Sequence, residues 1–237
     1  MKNLHREVFT LKESQCHVIA DKPKGIQVAK DSLKQNRQLL EAYFRTNPTF
    51  LRTLEPVAVP TEPLVVKLMA EAAEKAAVGP MAAVAGVLAD LAVKDMLSAG
   101  CEVAVVENGG EISAVSNEFI DVAIAAGDEP LSKRFGFRLT EFPIGVATSS
   151  GRFSHAFSFG DAEAATVFCK NAGLADAAAT AVCNVVKGED CLAAIQAGIR
   201  KALSIEGVIG VLILYRSFTG TVGRIPKIIK VDPLNNI

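Results

Sequence analysis

The order of strand-like and helix-like segments constrains the fold of this chain more than any other sequence feature. Alternating apolar residues predict an N-terminal hairpin, then helices, a run of strands, two further helices and closing strands. Such separate blocks favour an α+β fold with a largely antiparallel sheet covered by helices. A regular βαβ alternation is missing from this order, which argues against a Rossmann fold.

Periodicity and the placement of Gly, Pro and Asn set the predicted boundaries. Strands are predicted at 6–11, 15–20, 102–106, 111–115, 119–126, 135–139, 144–148, 164–169, 208–215 and 225–231. Helices are predicted at 28–44, 64–77, 80–98, 174–186 and 191–203. Residues 21–25 are predicted to form a turn, and the proline-rich residues 48–63 to be irregular. No segment has the composition of a linker, so we expect one domain over residues 1–237.

Charge and composition exclude several classes of partner. The chain has 25 Lys and Arg against 26 Asp and Glu, so no overall positive field attracts nucleic acid or an anionic membrane. The first residues lack the apolar run of a signal peptide, and the apolar stretches are too short to span a bilayer. We therefore expect a cytoplasmic protein. The five cysteines show no CxxC spacing, which favours buried thiols over disulfides or structural zinc.

A glycine turn follows the first strand of the central run. Asn108, Gly109 and Gly110 lie between two apolar segments, a strong hairpin signal. Glycines after a strand also allow backbone amides to approach a phosphate or a flat ring. The pattern by itself is compatible with a plain hairpin turn or with a ligand-binding turn.

A second polar segment follows a later strand of the same run. It combines three hydroxyls with an arginine, and its members are Thr148, Ser149, Ser150 and Arg152. These side chains can hydrogen-bond a small phosphate-bearing ligand. A solvated polar turn is the alternative reading.

The next residues, 152–160, alternate aromatic and polar side chains as in a strand with one wet face. His155 shares a face with Phe153 and Phe157 under strict alternation. It is a candidate titratable group near a ligand, or a packed structural residue.

An acid and a hydroxyl lie four residues apart on a predicted helix. Asp176 and Thr180 therefore share one face, among small residues that let a ligand approach. Their oxygens suit Mg²⁺, which takes few protein ligands and leaves room for phosphate oxygens. Alternatively, Asp176 is an acid in the first turn that the helix dipole favours, and Thr180 is a packed residue.

Taken together, these segments resemble the ApbE superfamily, and most closely its UPF0280 group. The resemblance rests on five stretches in the family's order: 85–90, 107–110, 147–151, 154–155 and 175–180. It covers roughly residues 64–187. ApbE enzymes use Mg²⁺ to split FAD and attach FMN to a Ser or Thr of a target protein.

The resemblance implies a T-fold-like architecture and a flavin-nucleotide site holding FAD or FMN. Asp176 and Thr180 fall on the family's metal ligands, and His155 and Asp176 on its catalytic positions. The sequence thus predicts Mg²⁺-dependent binding or processing of a flavin or nucleotide diphosphate.

The sequence departs from the family pattern at two places. Ala85 replaces the family's lysine, and the Asp-Pro that follows the family's histidine is missing after His155. An accessory or binding protein without transferase chemistry is therefore the alternative, and the group has been associated with sulfide incorporation into homocysteine. The alanine-rich helices and the net charge of -1 lead us to expect a homodimer.

Overall fold

The computed structural model describes residues 4–59, 61–123, 135–151 and 159–230. Its strands are β1 His5–Leu11, β2 Ser14–Ala20, β3 Ala104–Asn108, β4 Glu111–Val115, β5 Ile120–Ala123, β6 Phe135–Leu139, β7 Ile144–Ser149, β8 Ala164–Cys169, β9 Val208–Tyr215, β10 Phe218–Gly223 and β11 Lys227–Lys230. Its helices are α1 Pro23–Thr46, α2 Pro48–Arg52, α3 Leu64–Ala76, α4 Val84–Ser98, α5 Ala172–Val185 and α6 Cys191–Leu203, with a 3-10 turn at Pro80–Ala83.

Two antiparallel sheets form the framework. The larger has eight strands in the order β1-β2-β3-β4-β7-β8-β9-β10, and the smaller has three in the order β11-β6-β5. Every strand pair in both sheets is antiparallel. The predicted α+β class with an antiparallel sheet is confirmed.

The large sheet separates two hydrophobic layers. Side chains of one face, including Val106 and Ala147, pack against the helices. Side chains of the other face, including Val146 and Phe168, pack against the small sheet. Phe168 meets Phe137 of β6 edge to face, with ring centroids 4.8 Å apart. The alternation along each strand therefore assigns every residue of β7 to one layer or the other.

Several predicted boundaries are wrong for identifiable reasons. Residues 21–25 do not form a turn throughout, because Pro23 occupies the first turn of α1, where its missing amide costs nothing. Part of the region predicted as irregular, Pro48–Arg52, is a short helix that begins in the same way. Strand β10 was not predicted, since Phe218–Gly223 alternates glycine and threonine with few apolar residues. The strand predicted at 152–160 falls largely outside the described residues.

Within the described residues, no single helix is long and apolar enough to cross a membrane. The helix Leu64–Ala76 and the segment Pro80–Ser98 pass that test only as a pair, and they are bent by 104°.

Helices α4 and α5 cross in backbone contact, and glycine makes this possible. A Cβ atom built on Gly86 would lie 2.2 Å from the carbonyl oxygen of Ala172, which is fixed backbone. A Cβ on Gly198 of α6 would instead meet side chains, with Ile213 Cδ1 at 2.6 Å and Val186 Cγ2 at 2.7 Å, and side chains can shift further than backbone. The α4–α5 crossing therefore tolerates no side chain at Gly86.

We predict that Gly86→Ala destabilises the protein by about 2 kcal/mol or more relative to Gly198→Ala. Both changes gain roughly 1 kcal/mol of helix propensity, so their difference measures how much more a clash with backbone costs than a clash with side chains. Urea unfolding of the two variants measures it. Equal free energies of unfolding would show that the crossing can open without cost.

Candidate functional site

The glycine turn and α5 meet at the first turn of α4. The side-chain amide of Asn108 donates from Nδ2 to the carbonyl oxygen of Ala85, at 3.0 Å. The backbone amide of Gly86 donates to a carboxylate oxygen of Asp176, also at 3.0 Å. Asn108 and Asp176, 68 residues apart in the sequence, therefore lie on the same side of the domain. This arrangement is the candidate functional site.

Asp176 caps α4 from outside that helix. No side chain of the preceding segment accepts a hydrogen bond from the first amides of α4. The Asp176 carboxylate replaces such a cap, since the amides of Gly86 and Ala85 both donate to it. The carboxylate oxygens of Asp176 thereby face the positive end of the α4 dipole.

Asp90 of α4 caps α5 in return. Its two oxygens accept hydrogen bonds from the first amides of α5: Oδ1 from Ala172 at 2.9 Å and Oδ2 from Gly173 at 2.8 Å. Its Oδ1 also accepts from the Ser113 hydroxyl at 2.7 Å. The Asn171 side chain accepts from the amide of Leu174 at 2.9 Å. Each helix thus supplies an aspartate to the other. Helix α5 begins at Ala172, two residues before the predicted start.

The carboxylates at the site are held in an environment that disfavours their charge. Burial raises the pKa of Asp176 to about 7, against the opposing hydrogen bonds from Gly86 and Ala85. Burial and the neighbouring Asp176 carboxylate raise the pKa of Glu111 well above its ordinary value. Glu111 pairs with Asn108 across the β3–β4 hairpin, which places it on the helix-covered face. A cation between Asp176 and Glu111 would relieve their repulsion.

Thr180 lies one helical turn beyond Asp176 and is only 8% exposed. Its hydroxyl has no hydrogen-bond partner within the described ranges, so it remains available as an oxygen ligand. One Asp176 oxygen accepts from Gly86, which leaves carboxylate lone pairs free. Among the described residues there is no group of three or more His, Cys, Asp or Glu side chains arranged around a metal. The oxygens of Asp176 and Thr180 are of the type that Mg²⁺ prefers, and two of them alone would make an incomplete site.

Ser149 contributes a buried hydroxyl on the same face of the sheet. It is 5% exposed, and its Oγ has no hydrogen-bond partner in the part of the chain that the structure describes. Gly145 of β7 lies against Ala172, so β7 and α5 start together. Ser149 is about 13 Å further along the strand and Thr180 about 12 Å further along the helix. Ser149 and Thr180 therefore both lie well beyond the point where β7 and α5 start.

The remaining candidates of the hydroxyl segment are placed differently. Thr148 faces the opposite side of the sheet, where its hydroxyl lies 2.9 Å from that of Thr166 on β8. The structure therefore does not bring Thr148 together with Ser149. Ser150 is buried, and its hydroxyl donates to the carbonyl oxygen of Ala162 at 3.4 Å.

The glycine turn has the conformation of a tight hairpin. Gly109 and Gly110 have φ of 69° and 113°, which L side chains rarely adopt. Both are exposed, at the end of the sheet that carries Glu111. The Asn108 amide is already engaged with Ala85 and with the Cys16 thiol, which lies 3.4 Å from its Oδ1. Asn108 therefore fixes the hairpin against α4, and the exposed glycines are the part of this turn that a ligand can reach.

Arg152 and His155, the other two predicted site residues, lie outside the described residues, and their roles stay predictions. The glycines on either side of this segment, Gly151 and Gly160, pack closely against other backbone. A Cβ on Gly151 would lie 1.8 Å from the carbonyl oxygen of Gly160, and one on Gly160 would lie 1.7 Å from that of Cys183 in α5.

Sequence reasoning missed the contribution of two acids. Glu111 directly follows the glycine turn, and the hairpin register predicted from Asn-Gly places it opposite Asn108. This register could have identified Glu111 as a residue of the candidate site. Nothing in the sequence indicates that Asp90 caps α5, because the two are 82 residues apart.

The comparisons with known proteins assign the family. The family described as AbpE bacteria matches residues 2–204. A UPF0280 protein from Methanococcus vannielii is 39% identical over 234 residues, which is 97% of this chain and 94% of the relative. One from Methanothermobacter thermautotrophicus is 41% identical over 198 residues, 83% of this chain and 77% of the relative. The chain belongs to the UPF0280 group of ApbE-like proteins. The resemblance stated from the sequence is confirmed.

Solved structures support the ApbE-like fold. The flavinyl transferase ApbE of Pseudomonas stutzeri superposes with a TM-score of 0.58 at 13% identity, over 98% of this chain and 95% of that one. The flavin transferase ApbE of Vibrio cholerae gives a TM-score of 0.60 at 14% identity, over 93% and 96%. At these identities the likeness establishes the fold alone.

The raised pKa of Asp176 predicts a specific pH dependence. The ordinary pKa of Asp176 is 3.8 and its pKa in the folded state is about 7. Between these two pH values the folded state therefore binds more protons than the unfolded state. The free energy of unfolding should therefore fall as the pH rises through this window. Asp176→Asn should make the fall shallower, while Asp31→Asn on the exposed surface of α1 should not. Parallel profiles for wild type and Asp176→Asn in chemical denaturation would contradict the assignment.

The capping role of Asp90 predicts a large loss of stability on its removal. Asp90→Ala leaves two helix amides and a hydroxyl without their acceptor, which should cost about 3 kcal/mol. Asp31→Ala is the matched control because it removes an exposed helical aspartate. Thermal and urea unfolding give the comparison, and a loss no greater than the control's would exclude the capping role.

Proposed function

We propose that this ApbE-like protein binds a flavin or nucleotide diphosphate with Mg²⁺ at the edge formed by the glycine turn, Ser149 and α5. The observation that carries the proposal is the Asp176 carboxylate, held beside Glu111 by the amides of α4. A diphosphate brings negative charge, and a site lined by two carboxylates accepts it only with a cation. The family and the ApbE-like fold support a flavin-related ligand.

The N-termini of α4 and α5 are already capped, which favours a cation as the group that binds phosphate. Free amides at a helix N-terminus commonly bind phosphate. Here Asp90 and Asn171 occupy the first amides of α5, and Asp176 occupies those of α4. Neither helix offers its first amides to an anion, so phosphate binding has to depend on other donors.

Asp176 and Thr180 are the residues that would hold Mg²⁺, which when bound neutralises charge on a diphosphate and on the leaving nucleotide. The buried Ser149 hydroxyl is available to donate to the ligand. The exposed Gly109 and Gly110 allow close approach at the rim. We propose that Arg152 contributes a phosphate contact and that His155 hydrogen-bonds a phosphate oxygen or the attacking group.

Binding without transfer is a second candidate, favoured by Ala85. At the first turn of α4 this residue presents backbone and no cationic side chain toward the site. A role in sulfur chemistry has less support, because the buried thiols are poorly activated. Burial raises the pKa of Cys16 to about 11 and that of Cys169 to about 12.

We expect Mg²⁺ to strengthen FAD or ADP binding to the wild-type protein by about tenfold or more. Asp176→Asn and Thr180→Val should lose this gain, and Asp31→Asn should keep it. Isothermal titration with and without Mg²⁺ gives the values. Absence of FAD, FMN and ADP binding at any Mg²⁺ concentration would overturn the proposed function.

Incubation with FAD and Mg²⁺ distinguishes the two candidates. Mass spectrometry should detect AMP release if diphosphate cleavage is retained, and unchanged FAD if the protein only binds. His155→Ala should then abolish the release while leaving the melting temperature close to that of wild type. A lowered melting temperature with unchanged FAD affinity would instead make His155 a structural residue.

A further inference from the structure

A second cleft lies at the opposite end of β7 from the candidate site. It has a volume of about 380 Å³ and is lined by α3, α4, the end of β4, Pro143 and the residues that lead into α5. β7 runs from Ile144 beside this cleft to Ser149 at the candidate site, a span of about 16 Å. The two sites are therefore separate, and the volume is in the range of small-molecule pockets.

The walls of this cleft are largely apolar. They come from Leu68 of α3, from Val87, Val93 and Leu97 of α4, from Val115 of β4 and from Leu174 of α5. Such a surface suits a hydrocarbon or aromatic body, since burial there removes apolar area from water.

Three lysines line the same cleft, one from each surrounding segment: Lys75 of α3, Lys94 of α4 and Lys170 before α5. All three are exposed, and none forms an ion pair with another described residue. Some other surface lysines have acidic partners, such as Lys30 with Glu7 at 2.6 Å. Convergence of three unpaired cations on one cleft creates a positive potential that attracts anions.

The two carboxylates in the lining are already engaged. Asp90 accepts from two amides of α5 and from the Ser113 hydroxyl. Glu71 lies 3.7 Å from Lys67, one turn earlier on α3. The lining therefore carries three lysines against two carboxylates, and Glu71 has a lysine partner outside the lining.

We propose that this cleft binds a small anion with an apolar body, such as an aromatic carboxylate, sulfonate or phosphate. The apolar body packs between α3 and α4, and the anionic group lies among Lys75, Lys94 and Lys170. This site is distinct from the proposed diphosphate site and takes no metal ion.

Anilinonaphthalene sulfonate is a suitable probe, because it joins an aromatic body to one negative charge. We expect saturable one-to-one binding by fluorescence titration, weakened by added salt. Lys94→Glu and Lys170→Glu should each weaken binding by about tenfold. Lys34→Glu, an exposed lysine of α1 with the same change in charge, should leave it unchanged. Leu68→Gln tests the apolar wall and should also weaken binding.

Competition with FAD tests which of the two sites the probe occupies. FAD with Mg²⁺ should not displace it, since the two sites lie at opposite ends of β7. Displacement by FAD, equal loss in the Lys34 and Lys94 variants, or absence of saturable binding would each overturn the proposal. Loss of FAD binding with probe binding intact would count against the proposed function alone. Melting temperatures of all variants ensure that only folded protein is compared.

Discussion

The exchange of aspartates between α4 and α5 is the interaction on which the rest of the structure depends. Asp90 of α4 closes the first amides of α5, and Asp176 of α5 closes those of α4. Unsatisfied amides at a buried helix end are costly, so each helix stabilises the other's starting point. Because Gly86 and Gly173 remove side chains at the crossing, the two backbones approach closely enough for both caps to form.

This exchange also determines what the candidate site can recognise. Occupied helix ends cannot bind a phosphate through backbone amides, and the buried acid beside Glu111 disfavours an unaccompanied anion. The same carboxylate therefore serves the fold as a cap and, in the function we propose, serves a cation as a ligand. A change at Asp176 has to be analysed for both effects, which is why the charge-neutral asparagine is more informative than alanine.

The two ends of β7 differ in electrostatic character. One end carries Asp176, Glu111 and the buried Ser149 hydroxyl, which has no partner among the described residues, while the other carries three lysines around an apolar cleft. The overall charge of -1 conceals this separation, since acidic and basic groups cancel in the sum. Local charge, and not the overall sum, therefore decides which ligands each end favours.

The sequence by itself determined much of the local structure, and the family. Strong periodicity gave strand β8, helix α6 and strand β9 with the observed bounds, and the Asn-Gly-Gly turn gave the β3–β4 hairpin. Only the tertiary structure decided which polar residues meet. Thr148 and Ser149 are adjacent in the chain but face opposite sides of the sheet, because successive side chains alternate. The approach of Asp176 to Glu111 and to α4 depends on helix packing across long sequence separations, which no local pattern records.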